Sequence, residues 1–540
     1  MSERPDGPPL TWYTTRPLDL PAPHEVRRAV RRQRALDALA CLAIAALCFS
    51  QASRETLFRA DRDFFNRLPL GPPTLEALIL NLCLVTAAGV VCIQAIRRVA
   101  RSSLRRVAAV AAVATVLVAL NFVRMTYDWI AGSVDWLGRP GAIAVVLAAL
   151  AVAFRWPRET LRGVRKGALF VAPLGVFTLV HASWMFLEVA AGPVWRSVEP
   201  VPMKTPAPSL RRVVWLVFAE MDQHTTFEAR PAGLELPELD RFRRESLYAD
   251  AAQPPAGTAE VSMPALITGR PVVSVLPLSP NDLELTLADG KKVKWSAHPN
   301  VFSRARVFGY DTAVVGWYLP YPRVLGPSLG AAEWRPSAAY EQARGDTVGT
   351  AFVNQWASLA PGVHLRRVSI RRFAEVGELA LRAATDGRFG LVLLHLPLPQ
   401  APGIYDAARG HVTAWNFTGT EHEYLDNLAL ADRVVGELRR GLDRARLGDR
   451  TWVVVSSDRW WRASKRPDGQ VDHRVPFLVR PPDGDRTMHV DGAFNTLGTH
   501  DLVLAILRGS VTDTTGAATW LTRYQSTPPK GYTPLGRPIY

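Results

Sequence analysis

The stretch VVWLVFAEMDQHTTFEARPAGLELPELDRFRRESLYADAAQPPAGTAEVSMPALITGR, residues 213–270, decides the fold class of this chain. Residues 213–218 form a nearly unbroken apolar run rich in β-branched side chains, the pattern of a strand covered on both faces. Glu220 follows just past the run. In open parallel sheets ligands collect beyond the carboxyl ends of strands, so Glu220 stands where a cation would be held. Its plainer reading is a loop carboxylate facing water. Further on, the small residues of PPAGTAE lead into a helical run over 261–266, and residues 236–244 have amphipathic spacing near a helix-opening proline.

Outward from this stretch the chain divides by composition. Its 540 residues suffice for more than one domain. The hydrophobic fraction, 48%, is ordinary, but the apolar runs crowd into the first 190 residues. Five segments stand out there: 36–50, 75–96, 107–123, 141–154 and 167–189. The first and fourth are short for a hydrocarbon layer of ~30 Å, with flanks able to extend them.

Charge alternates between these segments. Arg27, Arg28, Arg31, Arg32 and Arg34 precede the first. Arg97, Arg98, Arg101, Arg105 and Arg106 join the second to the third, and Arg155, Arg158, Arg162, Arg165 and Lys166 join the fourth to the fifth. The other two connections carry Asp61, Asp63, Asp128 and Asp135. Basic connections stay in the cytoplasm. The expectation is therefore a cytoplasmic N-terminal segment over 1–35, a transmembrane region of five helices over 36–190, and a C-terminal part outside the cytoplasmic membrane.

Lys+Arg number 64 against 49 Asp+Glu, a formal charge of +15. Much of that excess lies in the connections and reads as topology signal, which argues against nucleic acid as a partner. The lipid bilayer is the partner implied. The polar, proline-containing, basic first 35 residues do not read as a cleavable signal. Asp37, Glu76 and Glu188 read as interfacial, and His181 as a packing residue within the fifth segment. All four cysteines, Cys41, Cys48, Cys83 and Cys92, lie in the first two segments. That leaves the outer part without disulfides, thiol nucleophile or cysteine metal ligand.

Residues 191–210 read as a proline-bearing linker, 211–515 as a domain and 516–540 as a C-terminal tail, proline-rich from Ser526. Strand candidates are 213–218, 312–315, 389–394, 452–455 and 475–479; helical patterns cover 236–244, 261–266, 303–309, 424–444 and 501–507. A hairpin around Asp289-Gly290 occupies 282–295. Strands separated by helices argue for an α/β domain with a mostly parallel central sheet.

Candidate chemical groups fall at strand ends: Glu220, His395 and Asp458, with His473 just before the RVPF strand. Two carboxylates and two imidazoles suit zinc or manganese. A hydroxyl at a helix start, where free N–H groups and the helix dipole favour anionic charge, would serve as nucleophile. Thr258 and Ser262 are the candidates, Thr258 the better placed. Trp317, Tyr318 and Tyr321 in WYLPY are candidate pocket walls.

Together these pieces resemble the membrane-anchored sulfatase and phosphoethanolamine-transferase branch of the alkaline phosphatase superfamily. VVWLVFAE, LPELDRFRRES, SMPALITGR, GYDTAVVGWY, LLHLPLPQAPG, YLDNLALADRVVGELRR, VVVSSDRW and HRVPFLVR occur in that family's order over about residues 210–510. The resemblance implies an alkaline-phosphatase-like domain and metal-dependent attack of a threonine, or of a cysteine-derived formylglycine, on a phosphate or sulfate ester. It implies Glu220 and Asp458 as metal ligands with His473 beside them, and His395, Gln400, Arg459 and Arg474 facing substrate. Three positions depart from the pattern. Ala259 stands at the nucleophile position with Thr258 one residue off, Arg459 replaces the histidine after Asp458, and Gln400 replaces a second histidine.

Alanine offers no nucleophile, and a permanently charged guanidinium cannot ligate zinc. Lack of an outer cysteine excludes the formylglycine mechanism. Two readings stay open. One is a catalytically impaired domain that binds an anionic, lipid-linked or envelope ligand through Arg459 and Arg474. The other is a metal-dependent phosphoester or sulfoester hydrolase, or a phosphoethanolamine-type transferase, using Thr258. A transporter is weaker, since the five segments hold few polar groups.

Overall fold

The computed structural model describes residues 22–57, 71–98, 102–126, 138–191, 198–204, 211–279, 281–465, 468–482, 484 and 487–526. Outside them lie residues 1–21 of the N-terminal segment, Arg101, Asp61, Asp63, Asp128 and Asp135 of the connections, most of the expected linker, and the tail beyond Ser526. The chain splits into two compact units, Met1–Ser50 with Ile79–His181, and Gln51–Leu78 with Ala182–Tyr540.

The five apolar segments fall on α1 (Pro23–Cys48), α2 (Ser50–Thr56), α3 (Pro72–Arg98), α4 (Ser102–Thr126), α5 (Gly138–Arg155) and α6 (Pro157–Ala190). Three stretches, Pro72–Arg98, Ser103–Arg124 and Pro157–Ala190, are long and apolar enough to cross a membrane. α1 and α2 qualify as a fourth if taken together across a 70° bend, and α5 is a shorter apolar helix. Phe170 is 87% exposed and Val91 66%. Such surfaces are stable against hydrocarbon rather than water.

Within the first unit, Asp37 is buried within the protein. Arg97 donates to its two carboxylate oxygens at 2.5 and 3.0 Å, and Arg165 approaches to 3.1 Å. Burial of a carboxylate demands such partners. The two arginines come from two different basic connections, and the carboxylate follows the third basic cluster. Groups that the charge pattern assigns to one side of the membrane thus meet in one cluster.

In the second unit eight strands form one sheet: β1 (Arg212–Ala219), β2 (Leu247–Ala249), β3 (Asp311–Trp317), β4 (Ala331–Arg335), β5 (Phe389–Pro399), β6 (Thr451–Ser457), β7 (Phe477–Arg480) and β8 (Met488–Val490). Their spatial order is β8-β2-β7-β6-β1-β5-β3-β4. β6, β1, β5, β3 and β4 run parallel. β7 is antiparallel to β6 and β2, so the sheet is mixed, with its parallel part around β1. Every residue of β1 is buried because its alternate side chains feed two cores. Val213, Trp215 and Val217 enter one, and Val214, Leu216 and Phe218 the other. That double coverage is why the sequence reads as an unbroken apolar run.

The helices of this unit are α7 (Pro237–Arg244), α8 (Ala259–Thr268), α9 (Val301–Val307), α10 (Val348–Ala357), α11 (Pro361–Ala384), α12 (Thr420–Arg444), α13 (Thr499–Arg508) and α14 (Thr514–Ser526). α7, α11 and α12 cover one face of the sheet, while α8, α9, α13 and α14 cover the other. α10 and α11 had no counterpart among the expected elements. α14 occupies the start of the expected tail and buries Leu521, so ordered structure continues through Ser526. The expected hairpin forms from Asp282–Leu287 and Lys292–Lys294, with Gly290 taking the turn's positive φ of 82°.

Described residues flanking the connection between the first two apolar segments belong to this same unit. Glu55 accepts a hydrogen bond from the Ala343 N–H at 2.8 Å. Gln355 Nε2 donates to the Thr74 carbonyl at 3.0 Å.

Candidate functional site

The carboxyl ends of β1 and β6 are stitched together by the residues that follow them. The Asp458 N–H donates to the Phe218 carbonyl at 2.9 Å, and the Glu220 N–H donates to Asp458 Oδ1 at 3.1 Å. Glu220 has a left-handed backbone, φ 64°, as does Tyr318 just beyond β3, also φ 64°. Non-glycine residues so held store roughly 1–3 kcal/mol each and gather at functional sites.

Arg459 lies against this pair. Its Nε donates to Glu220 Oε1 at 3.0 Å and its Nη2 to Gln400 Oε1 at 2.9 Å, while Nη1 stands 3.5 Å from Asp458 Oδ2. The Asp458 side chain is fully buried and that of Arg459 is 9% exposed. Burial alone would push the Asp458 carboxyl up; the Arg459 charge and the neighbouring His395 and Glu220 N–H outweigh it and hold the group below its ordinary value. Burial likewise lowers Arg459, and Asp458 with Glu220 more than reverse that. Each charge is tolerable only because the other is present.

His395 lies inside β5 rather than beyond its end. Its Nδ1 pairs with the Tyr321 hydroxyl at 2.8 Å, and its Nε2 stands 3.4 Å from Asp458 Oδ2 without well-aligned hydrogen-bond geometry. Trp317 and Tyr321 set their rings 5.8 and 6.1 Å from the imidazole. These aromatic residues enclose the histidine, and Trp317 also lines a cavity with Gln400, Pro336 and Ser369. Gly316 permits the enclosure: a Cβ there would sit 2.4 Å from Tyr321 Cε2.

Thr258 is the N-cap of α8, half-buried, and its side chain makes no capping hydrogen bond. Ala259 beside it is buried. The preceding loop presses on Trp460, since a Cβ on Gly257 would meet the Trp460 ring at 2.8 Å. Glu260 was missed by the sequence reading. It accepts the Tyr318 hydroxyl, and its charge acts on Arg459. The only signal was its place directly after the nucleophile position. Two carboxylates, Glu220 and Asp458, therefore contact one guanidinium, and Glu260 adds a weaker electrostatic influence.

His473 and Arg474 have other described contacts. The His473 ring packs on Trp460 with centroids 4.2 Å apart. Arg474 pairs with Glu228 at 2.7 Å and Asp472 at 2.6 Å. His224, Glu228 and Asp472 each bring one ligand atom within 4.8 Å of the others, a set geometrically able to hold a divalent ion. Glu220, Asp458 and His473 do not form such a group among the described residues.

The zinc or manganese ion implied by the resemblance does not fit the donor set at Glu220 and Asp458. A cationic side chain already engages both carboxylates, and the histidine expected after Asp458 is that cation.

No family model matches the chain, and no curated protein matches it. Among solved structures, a phosphonate monoester hydrolase of Agrobacterium radiobacter is 13% identical with a TM-score of 0.38, the match covering 55% of this chain and 74% of that one. A sulfatase from Pseudoalteromonas sp. is 14% identical with a TM-score of 0.38, covering 56% and 68%. A protein in the alkaline phosphatase superfamily from Vibrio parahaemolyticus is 14% identical with a TM-score of 0.37, covering 58% and 68%. These likenesses are distant, and they carry no argument about the site or its chemistry.

Proposed function

We propose that this is a membrane-anchored, sulfatase-like protein whose outer domain has lost metal-dependent ester chemistry. One observation carries the reading: Arg459 engages Glu220, Asp458 and Gln400 together. A guanidinium supplies the positive charge that a divalent ion would otherwise supply, but it offers no Lewis acidity and no open coordination position. Both departures that flank it, Ala259 and Gln400, remove groups that such chemistry would use. An anionic lipid-linked or envelope ligand would reach Arg459 only in competition with Glu220 and Gln400, and Arg474 only in competition with Glu228 and Asp472. Non-catalytic tethering is therefore the reading favoured over anion capture at this cluster.

Topology supports the tether. Glu55 and Thr74 bond to Ala343 and Gln355 of the outer domain, so these described residues on either side of the first connection share its compartment. An even number of crossings must separate Leu75 from Ala190. α3, α4 and α6 make three. α5, with 18 residues or about 27 Å of helix, supplies the fourth. In this reading there are five crossings in all, and basic connections inside would leave the domain from residue 211 outside the cytoplasmic membrane.

Thr258 favours a second reading, because its hydroxyl is not consumed by capping. In that reading the protein is a metal-dependent hydrolase or transferase. The test is metal content and phosphodiester turnover of the full chain in detergent after incubation with zinc or manganese, followed by dialysis. The expected result is neither bound metal at Glu220 and Asp458 nor turnover. Near-stoichiometric metal that disappears in Glu220→Ala, with turnover lost in Thr258→Ala, would overturn the proposal. Metal that disappears only in Glu228→Ala belongs to the His224 cluster and leaves the proposal standing.

A further inference from the structure

α10 is amphipathic the wrong way round for a water-exposed helix. Its buried positions are Ala351 and the polar Gln355, while Val353 is 62% exposed and Trp356 41%. Phe352 lies half-buried beside Trp356, with ring centroids 6.4 Å apart. A surface helix in water shows the opposite arrangement. Two apolar side chains one turn apart on the outer face call for an apolar or interfacial medium.

The polar face says which medium. Gln355 Nε2 donates to the Thr74 carbonyl at 3.0 Å, and Thr74 Oγ1 donates back to the Gly345 carbonyl at 3.4 Å. Thr74 lies in the first turn of α3, a helix apolar enough to cross a bilayer. Leu80, an exposed apolar residue, follows six residues later. That is about 9 Å of helix rise, within the roughly 5–10 Å depth at which amphipathic helices lie in the headgroup layer. Tryptophan is the residue type enriched at that level.

We propose that α10 is an interfacial anchor of the outer domain. Val353 and Trp356 enter the headgroup layer of the leaflet from which α3 emerges, and Gln355 holds the helix at that depth through Thr74. The occupant of this face is the bilayer itself, rather than a partner protein or a second copy. The domain is thereby held to the membrane by a side-on contact in addition to its covalent connection. The inference does not depend on whether the Arg459 site is catalytic.

The test uses the full chain in phosphatidylcholine nanodiscs, with Cys41, Cys48, Cys83 and Cys92 replaced by serine. A fluorophore sensitive to polarity is attached at Val353→Cys, and separately at Trp356→Cys should the first variant fold poorly. Val307→Cys serves as the comparison, since Val307 is also an exposed apolar residue of the outer domain. The expected result is blue-shifted emission at 353 that drops at least two-fold when the lipid chains carry bromine, with no drop at 307. Water-like emission at 353 would overturn the proposal. So would shielding at 353 that brominated lipid does not quench, which would mean a protein occupant, or equal quenching at both positions.

Discussion

Arg212 and Arg459 are buried arginines at opposite ends of the same pair of parallel strands, and they do different work. Arg212 opens β1 and donates only to neutral acceptors: the Phe389 carbonyl at 2.8 Å, those of Asp386 and Ala383 at 3.1 and 3.3 Å, and Thr451 Oγ1 at 3.4 Å. Burial pulls its pKa down to about 10. Arg459 follows β6 and faces carboxylates, which raise it despite its burial. At the amino end of the sheet an arginine satisfies loose carbonyls at the turn before β5. At the carboxyl end it balances charge where a sheet of this kind presents its acidic groups. The same side chain is a structural clasp in one place and an internal counter-ion in the other.

The comparison breaks most sharply if the two arginines prove equivalent. Arg459→Ala leaves Asp458 and Glu220 with an uncompensated charge and is expected to lower stability by about 3–5 kcal/mol, read from denaturant unfolding of the full chain in detergent. Asp458 carries the pH dependence. Its folded value lies below the ordinary 3.8, so its contribution is complete above that pH and is lost as the pH falls through the folded value. Asp458→Asn is expected to remove this acid limb; an unchanged acid profile would mean that the pair contributes nothing.

Arg212→Met should be milder. It removes hydrogen bonds to neutral groups and is expected to lower stability by about 1–3 kcal/mol, with the acid limb intact. A loss as large as that of Arg459→Ala would erase the distinction drawn here. Thr258→Ala sharpens the contrast from the other side. Removing an N-cap hydroxyl typically lowers stability by about 1 kcal/mol, but this one makes no cap bond, so the expected change is within about 0.5 kcal/mol. A larger change in unfolding would show that the hydroxyl holds α8 in place.

Legibility in the sequence followed the range of the interaction. β1, β3, β6 and α12 were readable because burial on both faces, or on one stripe, writes itself into consecutive residues. α11 was not, although it covers one face of the sheet: seven arginines and glutamates break its apolar pattern, and some of them pair across the fold, as Arg372 does with Glu341 and Glu375 with Arg335. Glu220, Asp458, Arg459, His395 and Gln400 were all named from strand ends and family order, and they do converge. His473 and Arg474 were named on the same grounds, and their described contacts are with Trp460 and with Asp472 and Glu228.

By itself the sequence determined the apolar helices, the alternation of basic connections, the central strands and the absence of cysteine beyond Cys92. Each of these is local: a run of side chains of one kind, or a residue that is absent. Only the tertiary structure decided that Arg459 closes on two carboxylates, that Glu260 joins them, that Asp37 is buried between Arg97 and Arg165, and that α10 turns its apolar side outward. Those facts depend on which side chains folding brings within hydrogen-bonding distance from positions hundreds of residues apart, and no local pattern encodes that distance.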